Sequence, residues 1–468
     1  MIQLSLTNTE LYGVVPNVLN KLHSLEYLDL SLNYLESEKT EDLQFLSHLP
    51  NLKTLDLSYN SFSFNFSELS LSCEKVIQVY LSSNWLKGPI PTNYSGAGLL
   101  NLSRNKFSGT ISFLCTDKFQ QARHLDISDN HFSGKIPECL GQYAGNDLQF
   151  LNLANNNFFG EIPSSIGYLN HILSLHFGNN GLFGGLPLSL KNCTSLRILD
   201  LGENHLTGGI PTWIGESLTK LKVLYLHSNK LKGSIPTSIC QLQSIRIIDL
   251  SSNNLSGSIP TCFSNYSIAM SQTSDEWFQS FSRIGQSHFN GISTPLHIYY
   301  DTELVMWKGR ELEYDKNLKF LKVIDLSSNR LAGNIPIDLT NLHELVSLNL
   351  SRNHFSGNIA EKIGQLTHLN SLDLSNNRLS GRIPISMANI YFLEYLDLSN
   401  NNLCGSIPKG TQLQSFDASK YAGNPQLCGL PTLNVCPEDK ILQRSPGTQG
   451  NNKHDHWKEN IMRMFSIN

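Results

Sequence analysis

Apolar residues recur along this chain as L-x-x-L-x-L, followed three positions later by an asparagine and, after one further residue, by L-x-G-x-I-P. Fifteen copies follow one another at spacings clustered at 24 residues. Leu196 to Pro211, Leu221 to Pro236, Leu369 to Pro384 and Leu393 to Pro408 match every fixed position. The L-x-L core reads as a short strand with its leucines turned inward, so a copy buries its apolar face only when another stacks on it. Each buried leucine contributes roughly 1.5 to 3 kcal/mol before entropy is subtracted, and a lone copy cannot fold. The asparagine column runs Asn33, Asn60, Asn84, Asn105, Asn130, Asn156, Asn180, Asn204, Asn229, Asn253, Asn329, Asn353, Asn377 and Asn401, with Thr9 in the first copy. Its amide carries donors and an acceptor for backbone groups of neighbouring turns. The glycine lets the chain bend, the isoleucine is buried and the proline fixes an extended direction.

The pattern divides the chain. Repeats 1–11 occupy 1–263 and repeats 12–15 occupy 318–408, separated by an island at 264–317 that holds Trp277, Phe278, Phe281, Phe289, Tyr299, Tyr300, Trp307 and Tyr314. Such aromatic content predicts a folded insertion lying against the concave face. A capping segment at 409–437 follows the last repeat, because the terminal coil would otherwise expose its apolar side. The polar, aperiodic 438–468 predicts a disordered tail.

The repeat is the leucine-rich repeat, and Leu-Ser-Gly-x-Ile-Pro at Leu255 to Pro260 and Leu379 to Pro384 closely resembles its plant-specific class. Three further features make the chain similar to the plant receptor-like proteins over residues 1 to 437: the island before four final repeats, Lys308-Gly309-Arg310-Glu311-Leu312-Glu313-Tyr314 at its exit, and Leu427-Cys428-Gly429 in the cap. That resemblance implies a right-handed superhelix with a concave parallel β-sheet and a 3₁₀ or irregular convex side. It also implies a place on the extracellular face of the plasma membrane, and signalling borrowed from co-receptor and adaptor receptor kinases. Family members carry a signal peptide, an N-terminal cap, an acidic spacer and one membrane helix. On this reading the chain starts inside the array and stops before that helix, as a truncated or secreted product would.

Charge narrows the partners. A formal net charge of -4 with 16% charged residues provides no basic field for nucleic acid or an anionic membrane, which leaves proteins, peptides or sugars. Residues Met1 to Leu6 lack the make-up of a secretory signal, and no stretch reaches the roughly 18 to 20 apolar residues of a membrane span. No motif of a metalloprotease, serine hydrolase or phosphate-binding loop occurs, and no cofactor or metal site is implied. The aspartate column at Asp29, Asp56, Asp126, Asp200, Asp249, Asp325, Asp373 and Asp397 could imitate a carboxylate pair, but its regularity marks it as part of the repeat.

Cys115 and Cys139 lie one repeat apart, as nearly do Cys240 and Cys262. Strands roughly 4.8 Å apart suit the Cα separation of a disulfide, so each pair is expected to staple adjacent coils. Cys428 and Cys436 are expected to close the cap. Cys73 and Cys193 read as buried thiols and Cys404 as free. Seven N-x-S/T sequons occur; those at Asn101, Asn254 and Asn349 arise from the repeat itself, so Asn65, Asn93, Asn192 and Asn265 are the favoured glycan carriers.

On the concave face, Tyr80, Arg104, His124, Asp129, Phe150, His176, Glu203, Tyr225 and His227 depart from the Asp, Ser or Asn that the repeats otherwise place there. Aromatics interspersed with charge suit protein or peptide recognition, and replacing His176 and Tyr225 together is expected to weaken binding while leaving folding intact. By the resemblance, Lys308, Arg310, Glu311, Tyr314, Arg352 and Tyr395 face a co-receptor kinase ectodomain, or alternatively dock the island. Three functions fit: the ectodomain of an immune receptor-like protein, that of a hormone-sensing receptor kinase, and a soluble inhibitor of cell-wall-degrading enzymes. Repeat number and the island disfavour the third.

Overall fold

A computed structural model describes residues 2–69, 76–91, 97–117, 121–143, 147–267, 303–307, 310–314, 321–410 and 412–436. Fifteen parallel three-residue strands, one per repeat from Gln3–Ser5 to Tyr395–Asp397, hydrogen-bond in chain order to form the concave sheet. The island does not break it. Ile247–Asp249 pairs directly with Val323–Asp325, Ile247 opposite Val323, so the coil before the insertion stacks on the coil after it. Of the island itself, Glu303–Trp307 and Arg310–Tyr314 form an antiparallel pair with Trp307 opposite Arg310. Its aromatic stretch Trp277 to Tyr300, Lys308, Cys73, Asn93 and the 438–468 tail lie outside the described residues.

Opposite the sheet the chain returns through short 3₁₀ turns such as Ser164–Tyr168, Leu188–Asn192, Thr237–Gln241, Ile337–Asn341 and Ile385–Asn389. Each begins after the proline of the repeat, whose ring fixes φ near the helical value and removes an N–H that would have no partner. The leucine-rich-repeat solenoid with a concave parallel sheet and 3₁₀ turns is therefore the one the family resemblance implies. An additional layer is present. Strands on the stretch after each ladder asparagine form three more parallel sheets, of three, six and seven strands, along the flank. The last of them takes its final strand, Gln426–Cys428, from the cap.

The ladder asparagines hold coil to coil. The Asn401 Nδ2 donates to the carbonyls of Leu398 and Ser399 in its own coil, both at 3.2 Å, and of Leu374 in the preceding coil at 3.0 Å. Its Oδ1 accepts the N–H of Leu379, also in the preceding coil, at 3.0 Å. The asparagine ladder begins with Asn33, which accepts the N–H groups of Thr9 and Leu11, and Thr9, in the same column, donates its hydroxyl to the Leu6 carbonyl of its own coil at 2.7 Å. It ends one step beyond the last repeat at Asn424, which bonds Leu398, Tyr421, Ala422 and Leu403 in the same way.

The three expected disulfides are formed: Cys115 to Cys139, Cys240 to Cys262 and Cys428 to Cys436, with Cα separations of 5.4, 5.8 and 5.0 Å. Cys193 and Cys404 are free thiols. Cys193 is buried, its thiol reaches the Ile166 carbonyl, and burial pushes its pKa up to about 12. A stack of buried phenylalanines, Phe107 on Phe132 and Phe132 on Phe158 at 6.2 and 6.5 Å, replaces leucine in successive coils.

Asn401 is 4% exposed, so Asn401→Leu would strand one N–H and leave three carbonyls short of a donor. The expected loss is about 1 to 3 kcal/mol, read as a lower denaturation midpoint; an unchanged midpoint would show that the ladder bonds are dispensable.

Candidate ligand surface on the concave face

The residue before each ladder position, from Asn8 to Asn400, has a left-handed backbone with φ between 48 and 57°. There the strand stops and the side chain is carried to the rim of the concave face. Arg104, Asp129, Glu203 and Arg352 occupy this position. They line an open groove of about 890 Å³ that runs along the concave sheet, together with Tyr80, His176, Tyr225, His227 and Tyr395.

The expected recognition residues separate into two groups. Arg104 is exposed, and Asp129, Glu203 and His227 are half-exposed; Arg104 Nε stands 3.9 Å from Asp129 Oδ2. Tyr80, His124, Phe150, His176 and Tyr225 are buried, at 7, 1, 0, 3 and 2% exposure. His124 stacks on Phe150 at 4.2 Å with rings nearly parallel, Phe150 meets His176 at 5.5 Å, and His176 Nε2 lies 2.6 Å from Ser174 Oγ. These aromatics pack on one another across adjacent strands because the inside of the curve crowds large side chains. Replacing His176 and Tyr225 would therefore disturb packing, contrary to the expectation that folding would be untouched.

Two features of the face were not foreseen. Ile198, Val223, Ile247 and Val323 take the first position of four successive strands and join Tyr225 and Leu321 in a buried apolar cluster separate from the main core. Their signal was an unbroken run of β-branched aliphatic residues at a position where the other repeats mix polar and aromatic residues with a single leucine, Leu99. Beside them the serine column is interrupted by Ala154, Gly178 and Gly202. A Cβ at Gly178 would come within 2.5 Å of Asp200 Oδ2, and one at Gly202 within 2.5 Å of His227 Nε2. The small residues give Asp200 and His227 room to lie against the strand ends.

At the far end, Tyr395 is half-buried and held by the cap. Lys420 Nζ sits 4.7 Å from its ring centre and 3.1 Å from Asp397 Oδ2, and the Tyr395 hydroxyl reaches Asp373 at 3.4 Å. For Arg310, Glu311 and Tyr314 only the strand position in the island pair is described. Among the sequon asparagines, Asn192 and Asn265 are exposed. Asn65 is half-buried and caps a 3₁₀ turn: its Oδ1 accepts from the N–H and hydroxyl of Ser67 and its Nδ2 donates to Glu68 at 3.2 Å.

The description Leucine rich repeat matches residues 194–255 and seven further segments between 51 and 412. Receptor-like protein EIX2 of Solanum lycopersicum is 49% identical over 388 residues, which is 83% of this chain and 37% of that protein. It belongs to the plant leucine-rich-repeat receptor-like proteins. Receptor-like protein EIX1 from the same plant is 61% identical over 176 residues, covering 38% of this chain and 17% of that one. The chain thus spans well under half the length of these relatives. Among solved structures, the ectodomain of the Arabidopsis receptor kinase HAESA with an extended IDA peptide hormone superposes with a TM-score of 0.71 at 28% identity, over 93% of this chain and 63% of that one. The TDR receptor gives 0.63 at 27%, over 91% and 76%.

In this receptor-like protein the aspartate column serves the fold. Each carboxylate of the column accepts the N–H of the residue two positions on: Asp126 Oδ1 takes the N–H and hydroxyl of Ser128 at 3.0 and 2.7 Å, and Asp29, Asp56, Asp249 and Asp397 repeat the arrangement. This turn competes with continued strand and ends it after three residues. Asp325 is the extreme case. Burial, and then the like charge of Asp249 in the adjacent strand, push its pKa up to about 7, against the hydrogen bonds from Ser327 and Asn349. Its Oδ1 accepts the Ser327 N–H and its Oδ2 accepts from Asn349 Nδ2 at 2.8 Å, so both oxygens are engaged by the strand-ending turn and the neighbouring coil.

A carboxyl that holds its proton more tightly folded than unfolded makes folding take up a proton between about pH 4 and pH 7. Its contribution to stability is complete at low pH and is lost as the pH rises through 7. Asp325→Asn, which removes that charge and is the residue used at the same column in Asn101, Asn152 and Asn349, should therefore raise Tm more at pH 8 than at pH 4.5. Equal changes at the two pH values would contradict a raised pKa.

Proposed function

We propose that the chain is the ligand-binding ectodomain portion of a cell-surface receptor of plant immunity. It senses a microbial or self-derived protein or peptide along the concave groove and signals through partner receptor kinases. The observation that carries this reading is the groove itself, continuous through the concave sheet and rimmed by side chains that differ from coil to coil where the rest of each repeat is fixed. The HAESA ectodomain, of similar fold, is a complex with the peptide hormone IDA and the co-receptor SERK1, which supports a peptide ligand and a kinase co-receptor here. The co-receptor is assigned to the end of the array that includes Arg352, Tyr395 and the island exit Lys308 to Tyr314. Higher identity to receptor-like proteins than to receptor kinases favours this reading over a hormone-receptor kinase. Exposed Asn192 and Asn265 suit glycosylation on the extracellular side.

The rim supplies a test that spares the packing. Asparagine already occupies the left-handed position in Asn155, Asn179, Asn376 and Asn400, and it tolerates that backbone better than most residues. Arg104→Asn with Glu203→Asn should shift stability by no more than about 0.5 kcal/mol. Ligand capture should fall at least about tenfold in Kd, measured with proteins and peptides retained from microbial culture filtrates by the wild-type chain. Retention of the same ligands at equal affinity by the double variant would remove the rim from the binding surface.

A further inference from the structure

The seven strands of the C-terminal flank sheet carry Lys232, Arg330, Arg378 and Arg382, with His354, and no aspartate or glutamate. All five side chains are exposed. In a chain of net charge -4 this is a local excess of cations, and it lies on a face the concave groove does not use. Among the described residues, none of the three arginines is in an ion pair. Of the aspartates of the same coils, Asp325, Asp373 and Asp397 have their carboxylates tied into the strand-ending turns of the concave side, and Asp338 lies in the 3₁₀ turn Ile337–Asn341 rather than on the flank strands.

The surface between the cations is flat and polar. Gly381 and Gly405 have φ of +77 and +80°, and a Cβ on them would come within 2.5 Å of Asn358 Oδ1 and 3.2 Å of Arg382 Cγ. Each side chain therefore lies down over the glycine of the next coil instead of standing out. The remaining outward positions are serines and asparagines with Ala332, Cys404 and Gln426, and no aromatic or large aliphatic side chain is exposed on these strands.

That chemistry selects the partner. A protein interface depends on aromatic or apolar anchors in a desolvated centre, and nucleic-acid strands on aromatic stacking platforms; the sheet offers neither. Guanidinium groups pair with carboxylates in two-pronged fashion, and hydroxyl and amide groups pair with sugar hydroxyls. With coils stacked roughly 4.8 Å apart, Lys232, Arg330 and Arg378 begin alternate strands of the sheet, an interval of the order of two sugar units. We propose that this flank is a binding site for a linear carboxylated polysaccharide, a polyuronate running across the coils, separate from the ligand groove.

The test uses the whole chain and three immobilised probes: polygalacturonate, its fully methyl-esterified form and poly-L-glutamate. Wild type should bind polygalacturonate, weaken as salt is raised, and ignore the esterified form. R330Q/R378Q/R382Q should lose at least about tenfold in affinity with an unchanged thermal melt, while K87Q/K106Q on the preceding flank sheet should bind as wild type. Absent binding to polygalacturonate, equal binding by the triple variant, or equal binding of the esterified polymer would each overturn the proposal. Preference for poly-L-glutamate would overturn it too and assign the strip to an acidic protein surface.

Discussion

Everything in this molecule depends on one buried amide per coil. A solenoid has to turn its chain out of every strand at the same place, and the turn leaves carbonyls and an N–H pointing inward where water cannot reach them. The ladder asparagine answers four of these groups at once, two carbonyls of its own coil and a carbonyl and an N–H of the preceding one. No apolar residue of similar size could do so, since a buried polar group left unmade costs more than a made one contributes. The bond pattern also couples each coil to its predecessor. A coil added without its asparagine would stack on an unsatisfied neighbour, which is why the array cannot end at the last repeat: Asn424 of the cap completes the final step.

Repeat spacing alone was enough to read the coil, the ladder, the inter-coil disulfides and the structural nature of the aspartates. A period of 24 residues admits little else once the inward leucines must stack. The flank sheets were illegible for a physical reason: their bonds join backbone to backbone, as where Asn254 N–H meets the Leu231 carbonyl, so no residue type announces them. Asn424 was concealed because its coil lacks L-x-L, although it stands 23 residues after Asn401, close to one period. Burial of His124, Phe150, His176 and Tyr225 could not be read from any single repeat. It comes from large side chains of adjacent strands meeting inside a concave curve, and only the curve brings them together.

Positions around the ladder consequently divide by what constrains them. Inward leucines and the asparagine are fixed by packing and by hydrogen bonds. The first and third strand positions are half-constrained: they can be aspartate in a turn or an aromatic in a stack, and either choice is answered by the neighbouring coil. The left-handed position before the asparagine is constrained in backbone alone. Its side chain stands at the rim, and leucine, tyrosine, arginine, aspartate and glutamate all occur there, which is the tolerance a recognition surface requires.

The flank follows a different rule. Its glycines must stay open so that the side chain of the preceding coil can lie across them, and this keeps the face low and even. On such a face a cation cannot be buried or enclosed; it can only be repeated. Concave rim and flank therefore suit different partners from the same coil: the rim, with varied side chains on a curve, suits one folded or extended peptide, and the flank, with like charges on a flat strip, suits a polymer. The two do not compete for residues, because the asparagine that ends each strand also separates the side chains that face inward along the curve from those that face out along the side.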